Sequence, residues 1–215
     1  MRGKGATEEE NPWEEIPLPD DENHMQWASA GQLPCMNRMM RAQLNRYPVR
    51  TAMVLGVAGG NGLEHVDVHK LQRVYGVDIN PAYLQACAAR TPHLAGVRTC
   101  LCADLTDPAI RLPRCEWVIA NLLIATIGYG RFQRVRAQVR PRYASCGIQI
   151  DAGEGFGPDA PYLHAFDGRD GVHHRLSEQG RNAAMGDRGY DRIDRQAYAL
   201  PNGKQLWQLD FAHRR

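Results

Sequence analysis

The segment Met53 to Val66, MVLGVAGGNGLEHV, runs from an apolar stretch into Gly59-Gly60-Asn61-Gly62. Glycines at a strand-to-helix turn permit positive φ and let a ligand approach backbone N–H groups with no Cβ in the way. That is the chemistry of holding a nucleotide-like molecule, although such turns also serve plain helix–sheet packing. A second apolar run ends in Asp78 of GVDINP, 16 residues after Gly62. A carboxylate at that strand end can accept hydrogen bonds from two ribose hydroxyls. A third run ends at Asp104 of CADLTD, so three strand ends converge on one ligand. The competing structural reading makes each Asp a helix cap or a turn residue.

The identity of that ligand follows from what the glycine segment lacks. A dinucleotide asks for G-x-G-x-x-G, with a helix N-terminus facing its pyrophosphate. Here Gly60-Asn61-Gly62 is followed by Leu63-Glu64-His65, so the third glycine is missing and Glu64 adds negative charge where phosphates would lie. A ligand with an adenosine but no phosphate fits better, and S-adenosylmethionine is the common one. A nicotinamide oxidoreductase stays as a weaker alternative.

The elements that must position these residues alternate. Strands are expected at Thr51 to Val57, Arg73 to Asp78, Val97 to Ala103, Trp117 to Asn121 and Tyr143 to Ile150, with helices at Gly62 to Lys70, Pro81 to Arg90 and Arg131 to Val139. Strand–helix alternation means parallel pairing with right-handed crossovers and a doubly wound α/β sheet. Near the end, Pro201-Asn202-Gly203 between Tyr198-Ala199-Leu200 and Lys204 to Phe211 signals an antiparallel hairpin. Before the first strand, Met36, Met40, Leu44 and Tyr47 recur at helical spacing from Pro34 to Pro48. Residues 1–10 read as a disordered acidic tail, 11–47 as an arm with a covering helix, and 48–215 as one catalytic domain.

Composition bounds the rest. The longest uncharged apolar run, around Trp117 to Tyr129, is far short of the roughly 20 residues that span a bilayer, and no signal-peptide pattern opens the chain. A cytoplasmic protein is expected. The six cysteines are scattered without a C-x-x-C pair, which reads as reduced thiols. His65 and His69 have a zinc-compatible spacing but no third ligand, so no metal is expected. Met1 to Met25 carries eight acidic and two basic residues, leaving 16 acidic against 24 basic in the remainder, a body of +8. That asymmetry could attract anions. Yet 23 of the 26 basic residues are Arg, spread along the chain without a dense block, so a nucleic-acid partner is disfavoured.

Through VLGVAGGNG, VYGVDIN, LCADLTD and WVIANLL, in that order, the sequence resembles the class I S-adenosylmethionine-dependent methyltransferases. More closely, it resembles a group of small bacterial members of undefined substrate with a start like NPWEEIPLPDDENHM and a PNGK hairpin near the end. The resemblance covers roughly residues 11 to 211. It implies a Rossmann-like methyltransferase fold, a mostly parallel seven-stranded sheet, to which the C-terminal antiparallel hairpin read above belongs. The apolar anchors Trp13, Ile16, Leu18, Met25 and Trp27 in an otherwise acidic arm give the further expectation that residues about 11 to 30 fold across the crevice as an N-terminal helical lid. The resemblance also implies that the loop from Gly56 through Ala58 and Gly60 to Gly62 wraps the cofactor's methionine part, that Asp78 with Ile79 holds the ribose, that Asp104 and Leu105 flank the adenine, and that Asn121 sits beneath the sulfonium. The expected product is S-adenosylhomocysteine.

Several positions depart from the family. Its first-strand acidic residue is Gly56 here, and the first glycine of its G-x-G-x-G is Ala58. Asn121-Leu122-Leu123-Ile124 replaces the Asn/Asp-Pro-Pro-Tyr of enzymes that methylate adenine or glutamine amino groups, and Ala125-Thr126 stands where close relatives carry an acidic and an aromatic residue. A small-molecule acceptor, methylated at O, N or C, is therefore the expected substrate. The alternative is a non-catalytic or repurposed S-adenosylmethionine-binding protein. Methyl transfer needs alignment and, for a protonated nucleophile, a base. Glu154 and His164 are the base candidates, Tyr129 a pocket wall, and His24 and Met25 the arm residues expected to reach the cofactor or acceptor. The sequence leaves the oligomeric state open.

Overall fold

The computed structural model describes residues 11–27, 30–150 and 189–214. Five strands run parallel to one another: β1 (Thr51–Leu55), β2 (Arg73–Asp78), β3 (Arg98–Cys102), β4 (Trp117–Asn121) and β5 (Tyr143–Ile150). Two antiparallel strands, β6 (Tyr190–Ala199) and β7 (Gln205–His213), complete the sheet in the order β3-β2-β1-β4-β5-β7-β6. A dinucleotide fold places a further parallel strand beyond the fifth. Here the antiparallel β7 takes that place and β6 forms the edge.

Alternation along each strand feeds two cores. Ala52, Val54, Val74, Trp117 and Ile119 face helices α2 (Gln32–Arg46) and α3 (Pro81–Arg90), through Met40, Leu44, Leu84 and Cys87. Met53, Leu55, Val118 and Ala120 face α4 (Ile124–Ile127) and α5 (Tyr129–Val139), through Ile124, Phe132, Val135 and Val139. The parallel strands are thus covered on both faces, which is why they read as continuous apolar runs. An arm helix, α1 (Leu18–Gln26), precedes α2. None of the helices among the described residues is long and apolar enough to cross a membrane.

Local chemistry explains most boundaries. α3 starts where the Asn80 side chain accepts from the Ala82 and Tyr83 N–H groups at 2.9 and 3.3 Å, with Pro81 in the first turn. The hairpin turns at Gly203, φ 80°, with Asn202 Oδ1 accepting from the Lys204 N–H at 3.1 Å. β6 begins eight residues earlier than its apolar end suggests, because DRIDRQA is an exposed charged edge with no inward pattern to read. The helix expected over Gly62 to Lys70 does not form. Only a 3-10 turn, Leu63–His65, follows the glycine loop, since Val66, Asp67, Val68 and His69 are poor helix formers. On β3, Cys100 is half-buried, whereas Cys102, two residues on at the end of the strand, is exposed.

Candidate active site

The carboxyl ends of β1, β2 and β4 bring the predicted residues together. The loop after β1 has positive φ at Gly56, Ala58, Gly60 and Gly62. At Gly60 a Cβ would lie 2.9 Å from the Cys87 sulfur and 3.4 Å from its Cα, so glycine is what lets the loop sit on α3. Ala58 holds φ 45° although it is not glycine, a conformation that costs an L-residue roughly 1–2 kcal/mol. Its N–H is fixed in return by the Asp78 Oδ2 at 2.9 Å.

Asp78 is the hinge of the arrangement. It is 8% exposed, and its Oδ1 accepts from the Asn80 N–H at 3.0 Å. Burial pushes its carboxyl above the usual carboxylate range, against the opposing effect of the N–H groups of Asn80 and Ala58. A raised folded-state pKa means that ionised Asp78 costs stability once pH rises through that value, and that the cost vanishes below the unfolded pKa. Affinity for a ribose-bearing ligand should run the other way, because the charged form is the better acceptor. S-adenosylhomocysteine binding, titrated calorimetrically from pH 7.5 downward, is expected to weaken at a pH above the ordinary aspartate range. A flat profile down to that range would contradict the assignment.

The other predicted residues differ in what they engage. Ile79 follows Asp78, half-buried, and its carbonyl accepts from the Cys102 thiol. Asp104 closes a turn on its own loop, accepting from the Thr106 N–H and hydroxyl, each at 2.7 Å. Leu105 is 5% exposed and belongs to the α4/α5 core. Asn121 ends β4 with its amide facing α2. It forms a reciprocal pair with Gln43, Nδ2 donating to Oε1 at 2.8 Å and Oδ1 accepting from Nε2 at 3.1 Å. Sequence reading missed Gln43. The signal was a polar residue between Met40 and Leu44 on the inward stripe of α2, and it is fully buried. Tyr129 opens α5, half-buried beside the α4/α5 core.

Glu64 does not project freely beside the loop. Asn37 on α2 and the Gly62 N–H, the latter at 2.8 Å, donate to its carboxylate. Against the desolvation that burial imposes, these bonds hold it below the usual glutamate range. The arm crosses above. Asn80 Nδ2 donates to the carbonyls of Trp13 and Glu14 at 3.1 and 3.2 Å. On α1, Leu18 and Glu22 fill the space where a Cβ on Gly59 would stand, with atoms 2.9 and 2.8 Å from that point. Glu22 also pairs with Arg90 of α3 through two hydrogen bonds, one at 2.9 Å. His24 and Met25 lie half-buried in the last turn of α1. Glu154 and His164 lie outside the described residues.

No family profile and no curated protein matches the sequence. Solved structures do. A magnesium protoporphyrin IX methyltransferase, ChlM, from Synechocystis PCC 6803 with bound SAM superposes with a TM-score of 0.59 at 12% identity, covering 98% of this chain and 86% of its own. The methyltransferase domain of bacterial CtHen1-C gives 0.64 at 15%, covering 85% and 100%. A cyclase, SpnF, gives 0.62 at 8%, covering 83% and 80%. With a strand order ending β5-β7-β6 and a glycine loop beside the carboxylate that ends β2, the chain has the fold of the S-adenosylmethionine-dependent methyltransferases.

Proposed function

We propose that the protein transfers a methyl group from S-adenosylmethionine to an O, N or C atom of a small-molecule acceptor. The observation that carries this reading is the Asp78 carboxylate. An ionised carboxylate offers about four acceptor sites, of which the N–H groups of Ala58 and Asn80 take two. The remaining sites, at the end of β2 and beside a loop with positive φ at three glycines, suit a ribose diol. Bound there, S-adenosylmethionine would supply a methyl group on an electrophilic sulfonium.

The chain's own residues then have three tasks. Asp78 orients the adenosine, and Ala58 to Gly60 present backbone rather than side chain to the rest of the cofactor. The arm, with His24 and Met25, excludes water and holds the acceptor in line. Where the acceptor must lose a proton, Glu154 or His164 takes it. Neutral replacement of the true base should lower turnover by about 10²–10⁴-fold while cofactor affinity stays nearly constant. Losses below threefold for both Glu154→Gln and His164→Ala would leave transfer driven by alignment alone.

The test of the function itself is S-adenosylhomocysteine release, followed by mass spectrometry against a panel of small-molecule nucleophiles. One observation favours a second reading, an adenosyl-binding protein that performs no transfer. The Asn121 amide is closed by Gln43 rather than presented to the crevice. SpnF, a cyclase, has the same fold. Tight S-adenosylmethionine binding with no S-adenosylhomocysteine from any acceptor would decide for it.

A further inference from the structure

The arginines that are scattered in sequence are gathered in space. Each parallel strand starts at the same edge of the sheet, and an arginine stands at or just before the start of every one: Arg98 for β3, Arg73 for β2, Arg50 for β1, Arg114 for β4 and Arg142 for β5. The strand registers set them side by side. Val74 lies opposite Arg98, Thr51 opposite Arg73, Ala52 opposite Trp117, and Trp117 opposite Tyr143. β7 runs the other way and ends at this edge, so Arg214 continues the row next to Arg142. All but Arg98 are exposed, and Arg98 is half-buried, donating to the Thr91 carbonyl. A general preference for arginine over lysine would account for the residue type but not for its arrival at one edge.

Two acidic residues on this edge offset part of the row without outnumbering its arginines. Glu116 is engaged by the Arg50 and Thr51 N–H groups, at 2.7 and 3.1 Å, and Asp191 pairs with Arg214 at 2.8 Å. In the turn before β2, Asp67 acts electrostatically on Lys70, whose Nζ donates to the Leu44 carbonyl at 3.1 Å. The sites rich in carboxylates, Asp78, Asp104 and the arm, lie at the opposite end of the strands.

At one end of the row the edge becomes concave. A cleft of about 940 Å³ is lined by Arg136, Arg140, Arg142, Tyr190, His213 and Arg214, among others. Two of its guanidinium groups lie over aromatic rings: that of Arg136 is 4.2 Å from the Tyr190 ring centroid and that of Arg142 is 5.0 Å from that of Tyr143. Arg140 occupies the left-handed position that ends α5, φ 53°, a place helices usually give to glycine. Arg136 is buried and backs the cleft, so the exposed guanidinium groups of Arg140 and Arg142 are the planar forks it offers to phosphate oxygens. With these rings covered by arginine, the site offers backbone contacts rather than base stacking.

We propose that this edge binds the phosphodiester backbone of a nucleic acid without sequence preference, away from the cofactor crevice and independently of the reading given for it. At about 4.8 Å per strand, the row from β3 to β7 spans about 24 Å, the length of about seven nucleotides along a duplex axis. Arginines that neutralise about four phosphates of a single strand should give a log–log salt slope near −2.8.

Fluorescence anisotropy with the full chain and labelled 12-nucleotide RNA, single-stranded DNA and duplex DNA tests it. Saturable binding is expected for at least one of the three, with a slope near −2.8 on a single strand or about −3.6 on the duplex, and which one binds identifies the natural source. Arg73→Ala/Arg114→Ala and Arg140→Ala/Arg142→Ala should each weaken binding at least tenfold at 50 mM salt and flatten the slope by about 1.4, whereas Arg41→Ala/Arg192→Ala should not. Affinity for S-adenosylhomocysteine should be unchanged in all three, which separates this site from the crevice. No binding to any of the three at 50 mM salt, binding unaffected by both edge variants, or equal affinity for poly-glutamate, would each overturn the proposal.

Discussion

Replacing Asp78 by Asn is expected to weaken S-adenosylhomocysteine binding at least tenfold in titration calorimetry, with the fold intact by circular dichroism. The carboxylate holds the loop through Ala58 at 2.9 Å and the start of α3 through Asn80 at 3.0 Å. Asparagine keeps the size but has one accepting oxygen. Its amide nitrogen would face one of these two N–H groups, donor against donor, so the loop loses a fixed point while the ribose loses its charged acceptor. Hydrogen bonds to a charged group are worth about 1.5–3 kcal/mol each, and about 1.4 kcal/mol is tenfold in affinity. Unchanged affinity in a folded variant would remove Asp78 from the site and with it the reason to place an adenosine there.

What could be read in the sequence follows from which signals are local. β2 and α3 appear with their expected limits because an apolar run ending in Asp78 and the Asn80-Pro81 cap are self-contained devices. The Asn-Gly hairpin is likewise local, and its turn forms as expected. The helix after Gly62 was misread because a glycine turn at a strand end is ordinarily followed by one. Whether it forms depends on Val66 to His69, whose weak helix propensity leaves the contacts of Asn37 with Asn61, Glu64 and His65 to set the local path instead. Gln43 opposite Asn121, and six arginines meeting along one edge, are consequences of tertiary placement. No spacing in the sequence relates Arg50 to Arg142. Their proximity exists only once β1, β4 and β5 are paired in register.

The arm carries the other large effect. Deleting residues 1–28 is expected to reduce turnover to below a hundredth of that of the full chain, while deleting residues 1–10 leaves it unchanged. Ile16 and Leu18, 3% and 8% exposed, bury against the domain, at about 1.5–3 kcal/mol for each side chain, so the arm is docked rather than trailing. It is docked across the carboxyl ends of β1 and β2, where Asn80 holds the Trp13 and Glu14 carbonyls and where Leu18 and Glu22 meet the backbone of Gly59. A segment there can shield a sulfonium from water and complete the acceptor pocket. The long deletion also removes packing, so a gentler variant must separate covering from stability. Glu22→Gln weakens the tie to Arg90, a partly exposed pair worth at most about 1 kcal/mol, and should leave the melting temperature within a few degrees. It should nonetheless speed amide exchange across residues 11–27 and lower turnover. Addition of S-adenosylhomocysteine should slow that exchange in the parent chain. If exchange in the arm is indifferent to the ligand and the long deletion turns over normally, the arm is a structural strap and the crevice is closed by something else.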